Sequence, residues 1–289
     1  MQVPGRANFE HCAALVRDAD RDRYLATLLA PAEDRDGLFA LYAFNAEISS
    51  VRDKAREPMP GEIRLQWWRE MLAGERDGEA AAHPVAAALT DTLRRYGFVA
   101  APLLELIDAH TFDLYDEPMG TVDTMELYGI RTQSPVFAMA AGILGQGGAN
   151  QTNSLPENFT LDASIAAALF KVLIDLPRHA SRRQLYVPLD VLERHGVDLE
   201  DIFAGQASDA LRSALAEVRA LLRGHLAKVR ETLRTAPPPI LPAFLPLAVI
   251  EPTLKRMDRA DYYPFRFVAL PPWRRQWAIW RASRNPQRF

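Results

Sequence analysis

Apolar residues recur at intervals of three and four along most of the chain, and this spacing places them on one face of an α-helix. Ala, Leu, Arg and Glu dominate these stretches, whereas runs of alternating Val, Ile and Thr are absent. The pattern therefore predicts an all-α fold without a sheet. We expect helices at Glu10–Leu29, Ala32–Arg56, Pro60–Arg76, Pro84–Gly97, Ala101–Tyr115, Thr121–Leu144, Asp162–Leu176, Asp209–Thr235, Ala243–Met257 and Trp273–Arg284.

Proline residues separate the predicted helices, because proline cannot donate a backbone hydrogen bond inside a helix. The segment GQGGANQTNSLPEN, residues 145–158, is a loop of low apolarity that could divide two domains. Leucine-rich helices are predicted on both sides of this loop. We therefore expect a single domain over residues 1–289, with a basic, tryptophan-rich tail over residues 271–289.

Composition limits the class of protein. The chain has 289 residues, of which 48% are hydrophobic, and its net charge of −3 predicts no general attraction to nucleic acid. Cys12 is the only cysteine, which excludes disulfide scaffolds and cysteine-based zinc sites. The first residues resemble no signal peptide, and charge or proline interrupts every apolar stretch. We expect a cytoplasmic protein that is at most peripheral on the inner membrane.

The first polar cluster, Ser49, Ser50 and Asp53, follows the apolar stretch RDGLFALYAF. Ser49 and Asp53 lie four residues apart and share one face of the predicted helix. If aspartates stood at the two serine positions, this face would form a metal site.

The second polar cluster, at spacings of three and four, comprises Lys171, Asp175, Arg178, His179 and Arg182. One interpretation is a solvated face on which Lys171, Asp175 and His179 form salt bridges. The same helix begins with the apolar ASIAAALF, which favours burial instead. Pro177 is expected to end or kink the helix just after Asp175.

Segments that span much of the chain resemble the squalene/phytoene synthases, the head-to-head prenyl transferases. LLAPAEDRDGLFALYAFNAEISSVRD is similar to the first signature of that family, which ends in Asp-Asp-x-x-Asp. IDLPRHASRRQLYVPLDVLERHGV is similar to the second, an Asp-x-x-Glu-Asp followed by Ala-Arg-Arg and Tyr-Leu-Pro. ELYGIRTQSPVFAMAAGILG and PAFLPLAVIEPTLKRM resemble two further helices. The resemblance implies an isoprenoid-synthase fold, a helical bundle around a central cavity.

In active members, the resemblance implies, the two acidic motifs hold the magnesium ions that bind the diphosphate of a prenyl donor. Their six acidic positions correspond here to Ser49, Ser50, Asp53, Asp175, Arg178 and His179. Only two of these residues are acids, and Arg178 would repel a metal ion. Lys171 replaces an asparagine of the family. We therefore expect no confident catalytic residue, no metal site and no cofactor.

Anion-binding groups of the family are retained. By resemblance, Arg35 matches an arginine that contacts diphosphate, while Arg182 and Tyr186 match the Ala-Arg-Arg and Tyr-Leu-Pro elements. Together with Lys171 they are candidates for holding a phosphate directly. Arg35 has an alternative interpretation as a surface residue paired with Glu33 or Asp36. Trp67 and Trp68 are expected to line the core and the cavity wall rather than to stack on a ligand.

One branch of the family, the phytoene-synthase-like assembly factors of mitochondrial complex I, resembles the chain more closely. FALYAFNAEISSVRD, IRLQWWREML, HASRRQLYVPLDVLERHGV and PAFLPLAV carry this similarity. That branch also has eroded acidic motifs, and the resemblance implies a protein without synthase chemistry.

The tail PPWRRQWAIWRASRNPQRF places Trp273, Trp277 and Trp280 on one stripe, surrounded by arginines. Such a stripe suits a membrane interface. The alternative is a terminal helix packed on the domain, with the tryptophans filling a groove.

These observations leave three functional interpretations. The leading one is a non-catalytic assembly or lipid-handling factor linked to respiratory complex I, with a prenyl diphosphate or polyprenyl lipid as a possible cavity ligand. A second is an active, magnesium-dependent prenyl transferase that condenses farnesyl or geranylgeranyl diphosphate, for which Glu47 would supply a missing acid. A third is a polyprenyl-lipid binding module that delivers quinone or a precursor.

Overall fold

The computed structural model describes residues 5–55, 57–145 and 158–285, and no β-strand occurs within these ranges. The all-α prediction is confirmed. In chain order the α-helices are α1 Arg6–Ala19, α2 Arg21–Thr27, α3 Arg35–Ser49, α4 Val51–Lys54, α5 Pro58–Leu72, α6 Asp77–Ala82, α7 Pro84–Tyr96, α8 Ala101–His110, α9 Val122–Leu144, α10 Asn158–Ser181, α11 Leu189–Arg194, α12 Leu199–Phe203, α13 Asp209–Leu233, α14 Ile250–Met257 and α15 Pro272–Arg284. Thr111–Leu114, Pro238–Ala243 and Leu245–Val249 are 3₁₀-helices.

Two of the predicted long helices are each divided into two. The first becomes α1 and α2, because Asp20 leaves helical geometry and its carboxylate accepts a hydrogen bond from the backbone N–H of Arg23 at 3.0 Å. This is an N-cap that starts a new helix. The second becomes α3 and α4, with Ser50 between them at φ −100° and ψ 3°. Arg56, the predicted end of the second helix, lies outside the described residues.

Of the two expected effects of Pro177, the end of the helix just after Asp175 is wrong, because α10 continues through Pro177 to Ser181. A kink at this proline stays a prediction. Proline removes only its own N–H bond to the carbonyl four residues earlier. Leu176 and Ala180 on either side are 2% and 4% exposed, so burial favours continued helix across the lost bond.

A left-handed residue terminates α10 instead. Arg183 has φ 54°, its N–H bonds to the Ala180 carbonyl at 3.0 Å, and the N–H of Gln184 bonds to the His179 carbonyl at 2.9 Å. This pair of bonds is the Schellman arrangement, which satisfies the last carbonyls of a helix.

The predicted helix Ala243–Met257 is only partly α-helical. Pro242 and Pro246 interrupt the bonding pattern, and 3₁₀ turns precede α14. The short helices α6, α11 and α12 were not predicted.

The chain forms two compact units. Among the described residues, unit 1 contains 5–55, 57–115, 135–145 and 236–246, and unit 2 contains 116–134, 158–235 and 247–285. Within unit 1, α3 packs against α1 and α7. Phe44 of α3 is fully buried. Its ring centroid lies 5.2 Å from that of Trp68, in an edge-to-face arrangement. Residues 146–157 of the glycine-rich loop lie outside the described part, and the predicted single domain stays a prediction.

Unit 2 is built on the pairing of the two long helices α10 and α13. Gly129 of α9 lets that helix approach α10 closely, because an added Cβ would lie 2.8 Å from the Cβ of Ala168. Over the ranges that the structure describes, no helix has the length and apolarity required to cross a bilayer.

Candidate functional site

The first polar cluster lies in unit 1, where α3 gives way to α4. The Ser50 hydroxyl donates to the carbonyl oxygens of Ala46 at 2.6 Å and Glu47 at 3.2 Å. The Ser49 hydroxyl contacts the Ala46 carbonyl at 3.5 Å. Serine side chains at helix ends often bond to the preceding turn in this way. Both hydroxyls are thus turned back onto their own helix.

The acidic residues of this region differ in their surroundings. Asp53 is exposed on α4. Glu47, which the prenyl transferase interpretation requires as a replacement acid, pairs instead with Lys54 at 3.3 Å between Oε2 and Nζ. The region around the first polar cluster therefore holds two carboxylates, that of Asp53, which is exposed, and that of Glu47, which forms an ion pair with Lys54.

The second polar cluster lies on α10 in unit 2, and its centre is Asp175. The Oδ2 atom of Asp175 accepts from Lys171 Nζ at 2.8 Å and from Arg178 Nη2 at 2.7 Å. The Asp175 side chain is only 16% exposed. Burial alone would raise the pKa of the Asp175 carboxyl, but Lys171, Arg178 and His179 hold that pKa below its usual value. Both interpretations hold in part, because the salt bridge exists and its carboxylate is largely buried.

His179 and Tyr186 form an aromatic contact at the end of the same helix. Their ring centroids are 4.4 Å apart, and Tyr128 of α9 lies 6.2 Å from Tyr186. His179 is buried, whereas Arg182 is exposed in the turn that follows α10. The structure thus places Lys171, Asp175, Arg178 and His179 together, with Tyr186 against His179.

Arg35 begins α3 in unit 1, and its Nε donates to the carbonyl oxygen of Ala30 at 2.9 Å. Within the described ranges it forms no ion pair with Glu33 or Asp36, so the alternative interpretation is wrong in that detail. The adjacent Asp34 is buried and accepts a hydrogen bond from the Tyr96 hydroxyl at 3.0 Å. Burial raises the pKa of Asp34.

These donors do not fit a magnesium ion as the family motifs would. Magnesium is usually bound through one or two carboxylates with accessible lone pairs, together with substrate phosphates and water. Here two positions carry hydroxyls that donate to backbone, and Asp175 is bonded to two cations. In the part of the chain that the structure describes, no group of three or more His, Cys, Asp or Glu side chains is arranged to hold a metal.

The two adjacent tryptophans of α5 have different roles. Trp68 is buried, while Trp67 is half-buried and donates its indole N–H to Glu79 at 2.9 Å. Trp67 also lines an open cavity of about 520 Å³ together with Arg69 and Arg76. Trp68 thus lies in the core, as predicted, and Trp67 lines an open cavity of unit 1. A place for either ring in the wall of the family's central cavity stays a prediction.

His83 lies against both tryptophan rings, at centroid distances of 5.2 and 5.4 Å, and its Nδ1 accepts from the backbone N–H of Ala86 at 3.3 Å. It therefore caps α7. Burial lowers the pKa of His83, and the negative charge of Glu47 opposes that effect. The cap requires the neutral ring, because a protonated Nδ1 cannot accept a hydrogen bond.

Sequence reasoning missed a buried histidine in unit 2. His225 of α13 meets Asp162 of α10 through Nδ1 at 2.7 Å and Glu126 of α9 through Nε2 at 3.2 Å. These partners lie 63 and 99 residues away. No local spacing signals such a contact.

The model of the squalene/phytoene synthase family matches residues 16–281. The chain belongs to the squalene/phytoene synthase family. Among relatives of this family member, complex I assembly factor 6 from Homo sapiens is 29% identical over 260 residues, which cover 90% of this chain and 77% of that protein. The 15-cis-phytoene synthase of Synechocystis is 25% identical over 214 residues, which cover 72% and 63%.

Solved structures of the family share the fold. A dehydrosqualene synthase in complex with ligand superposes with a TM-score of 0.84 at 16% identity, covering 99% of this chain and 98% of that one. The squalene synthase HpnC from Alicyclobacillus acidocaldarius gives a TM-score of 0.71 at 23% identity, covering 89% and 97%. The predicted isoprenoid-synthase fold is confirmed.

Proposed function

We propose that this protein is a non-catalytic family member that supports assembly of respiratory complex I and handles a prenyl diphosphate or polyprenyl lipid. The alternative is an active prenyl transferase. Only the prenyl transferase requires the retained acids to bind magnesium. The contacts that these acids make therefore bear on the choice between the two functions.

The observation that carries the proposal is the pairing of Asp175 with Lys171 and Arg178. A metal-dependent transferase needs the lone pairs of this carboxylate for magnesium. Here a single oxygen atom already accepts from both cations. A metal on this carboxylate would lie beside two positive side chains, which Coulomb repulsion opposes.

The first polar cluster supports the same conclusion by a different route. Ser49 and Ser50 are neutral, and their hydroxyl groups donate to backbone carbonyls. The nearest replacement acid, Glu47, is paired with Lys54. Asp53 is the remaining acid of that motif, and one exposed carboxylate binds magnesium weakly.

The lipid-handling part of the proposal rests on charge. Lys171 and Arg178 together carry two positive charges against the single carboxylate of Asp175. The excess of positive charge suits direct, metal-free contact with a phosphate.

The assembly part of the proposal draws on the relatives. Proteins named complex I assembly factor 6 from human, cow and rat each match this chain at 29% identity over 87–90% of its length. We transfer that role here as a proposal, with complex I as the partner.

Deletion of the gene in its native host tests this role. We expect less assembled complex I on native gels and lower NADH:quinone oxidoreductase activity in membranes. The wild-type gene should restore both, and so should the Asp53→Ala variant, because a non-catalytic role does not need this exposed acid. Unchanged complex I after deletion would refute the assembly role.

A turnover assay tests the chemistry separately. Purified protein with magnesium and farnesyl or geranylgeranyl diphosphate should release no diphosphate above the protein-free control. Magnesium-dependent release that disappears in Asp53→Ala would establish the prenyl transferase alternative.

A further inference from the structure

The last described helix, α15, exposes all three of its tryptophans. Trp273, Trp277 and Trp280 are 63%, 53% and 50% exposed. The helix packs through Ala278, Ile279 and Ala282 instead, which are at most 9% exposed. At about 100° per residue the tryptophans lie on the side opposite these buried residues. Among the described residues, the tryptophans therefore fill no groove of their own chain.

Each exposed tryptophan carries an arginine over its ring. Arg274 lies 5.1 Å from the Trp273 centroid, Arg281 lies 5.0 Å from Trp277, and Arg284 lies 5.7 Å from Trp280. We call these six side chains the tryptophan–arginine face. Over the described ranges none of its three arginines pairs with a carboxylate, and α15 contains no acidic residue.

Exposed indole rings next to unpaired guanidinium groups indicate a surface that binds a partner. Three large rings on one face form an exposed apolar patch of the kind that marks an interaction site. The partner must supply anions beside an apolar layer, at the depth that amphipathic indole rings prefer. The headgroup region of an anionic bilayer supplies both.

We propose that the tryptophan–arginine face binds the surface of an anionic lipid bilayer, with the indole rings at headgroup depth and the guanidinium groups on lipid phosphates. The contact is interfacial and reversible. It goes beyond the proposed function and does not depend on it, because it rests only on α15.

Vesicle flotation of the full chain tests this inference. We expect binding to phosphatidylcholine vesicles that contain phosphatidylglycerol, weak binding to phosphatidylcholine alone, and release by salt. Replacing Trp273, Trp277 and Trp280 together by alanine should abolish flotation. Each of Arg274→Gln, Arg281→Gln and Arg284→Gln should weaken binding about fivefold, whereas lysine at these positions should largely preserve it.

A matched control removes exposed apolar side chains elsewhere. Met59→Ala with Val99→Ala deletes residues that are 70% and 66% exposed, and should bind like the wild type. Circular dichroism checks that every variant is folded. Quenching of tryptophan fluorescence by brominated lipid should occur in the wild type and disappear in the triple alanine variant.

Three results would overturn the inference. The first is equal binding to neutral and anionic vesicles. The second is unchanged flotation of the triple alanine variant, or no flotation of the wild type. The third is self-association of the chain that the same variant abolishes, because the face would then bind a second copy.

Discussion

At the end of α3, Ser49 and Ser50 bond to carbonyls of their own helix, whereas in α10 the carboxylate of Asp175 persists and bonds to two cations. Both positions correspond to acidic motifs of the family. In the first region two of the three acidic positions are neutral serines, and in the second the retained carboxylate of Asp175 is balanced by two cations. The departures from the acidic motifs of the family therefore take two different physical forms.

The two polar clusters differ in how strongly their side chains depend on one another for stability. A hydroxyl that bonds to an already helical carbonyl can be removed at little cost. A largely buried carboxylate between two cations cannot, because its loss removes a charge-assisted hydrogen bond from each of them. The second polar cluster should thus be the more sensitive of the two to mutation.

Substitution of Asp175 is the most disruptive test of this difference. Asp175→Ala should lower the free energy of unfolding by about 2 kcal/mol, because hydrogen bonds from two cations to a part-buried carboxylate are lost. Urea denaturation measures the change. Adding Arg178→Ala should recover part of the loss, since the guanidinium that the carboxylate balanced is then absent too. An effect below about 0.5 kcal/mol would place Asp175 on an ordinary solvated surface.

The two regions should also differ in the pH range over which they affect the stability of the protein. Burial lowers the pKa of His83, which faces Glu47 near the first polar cluster. A lowered pKa means that its contribution is complete above the unfolded value of about 6.5 and is lost as the pH falls below it. His83→Asn keeps a capping acceptor that does not titrate, so this variant should lose about 1 kcal/mol less than the wild type between neutral and mildly acidic pH.

The contribution of Asp175 to stability should be lost over a lower pH range. Its pKa is also lowered, so its contribution is complete above about 3.8 and is lost as the pH falls further. The stability difference between wild type and Asp175→Asn should persist at mildly acidic pH and shrink in strong acid. Shrinkage already near neutral pH would show that the two windows are not distinct.

Spacing predicted the helical class and the pairing of Lys171 with Asp175, because both depend on neighbours within one helical turn. It misplaced the end of α10, since the burial of Leu176 and Ala180 is decided by residues distant in sequence. The helices α6, α11 and α12 have only five or six residues each, which is too short for an apolar repeat to identify them.

Contacts across long sequence separations were equally hidden. His225 meets Asp162 and Glu126 only once three helices have packed. The orientation of the Ser50 hydroxyl was also not predictable, because a serine at a helix end can face either solvent or its own backbone. The resemblance to the family supplied the positions to inspect, and the structure supplied their state.

Removing the Ser50 hydroxyl should have a small effect. Ser50→Ala should change the free energy of unfolding by no more than about 0.5 kcal/mol, because both carbonyls that it contacts belong to helical backbone. The same urea measurement serves here. A loss comparable to that of Asp175→Ala would mean that the first polar cluster is also a coupled network, and the contrast between the regions would fail.

Magnesium should have the smallest effect of all. A ligand that binds only the folded state raises its stability by mass action, so a competent metal site must shift the melting temperature as magnesium is added. We expect no shift for the wild type, because neither region presents a set of free carboxylates. If a shift occurs, the Asp53→Ala and Asp175→Asn variants locate it, since the variant that abolishes the response identifies the region that binds the ion. Loss of the shift in Asp175→Asn would show that magnesium displaces Lys171 and Arg178, and the balanced charge of α10 would then be a resting state of a metal site.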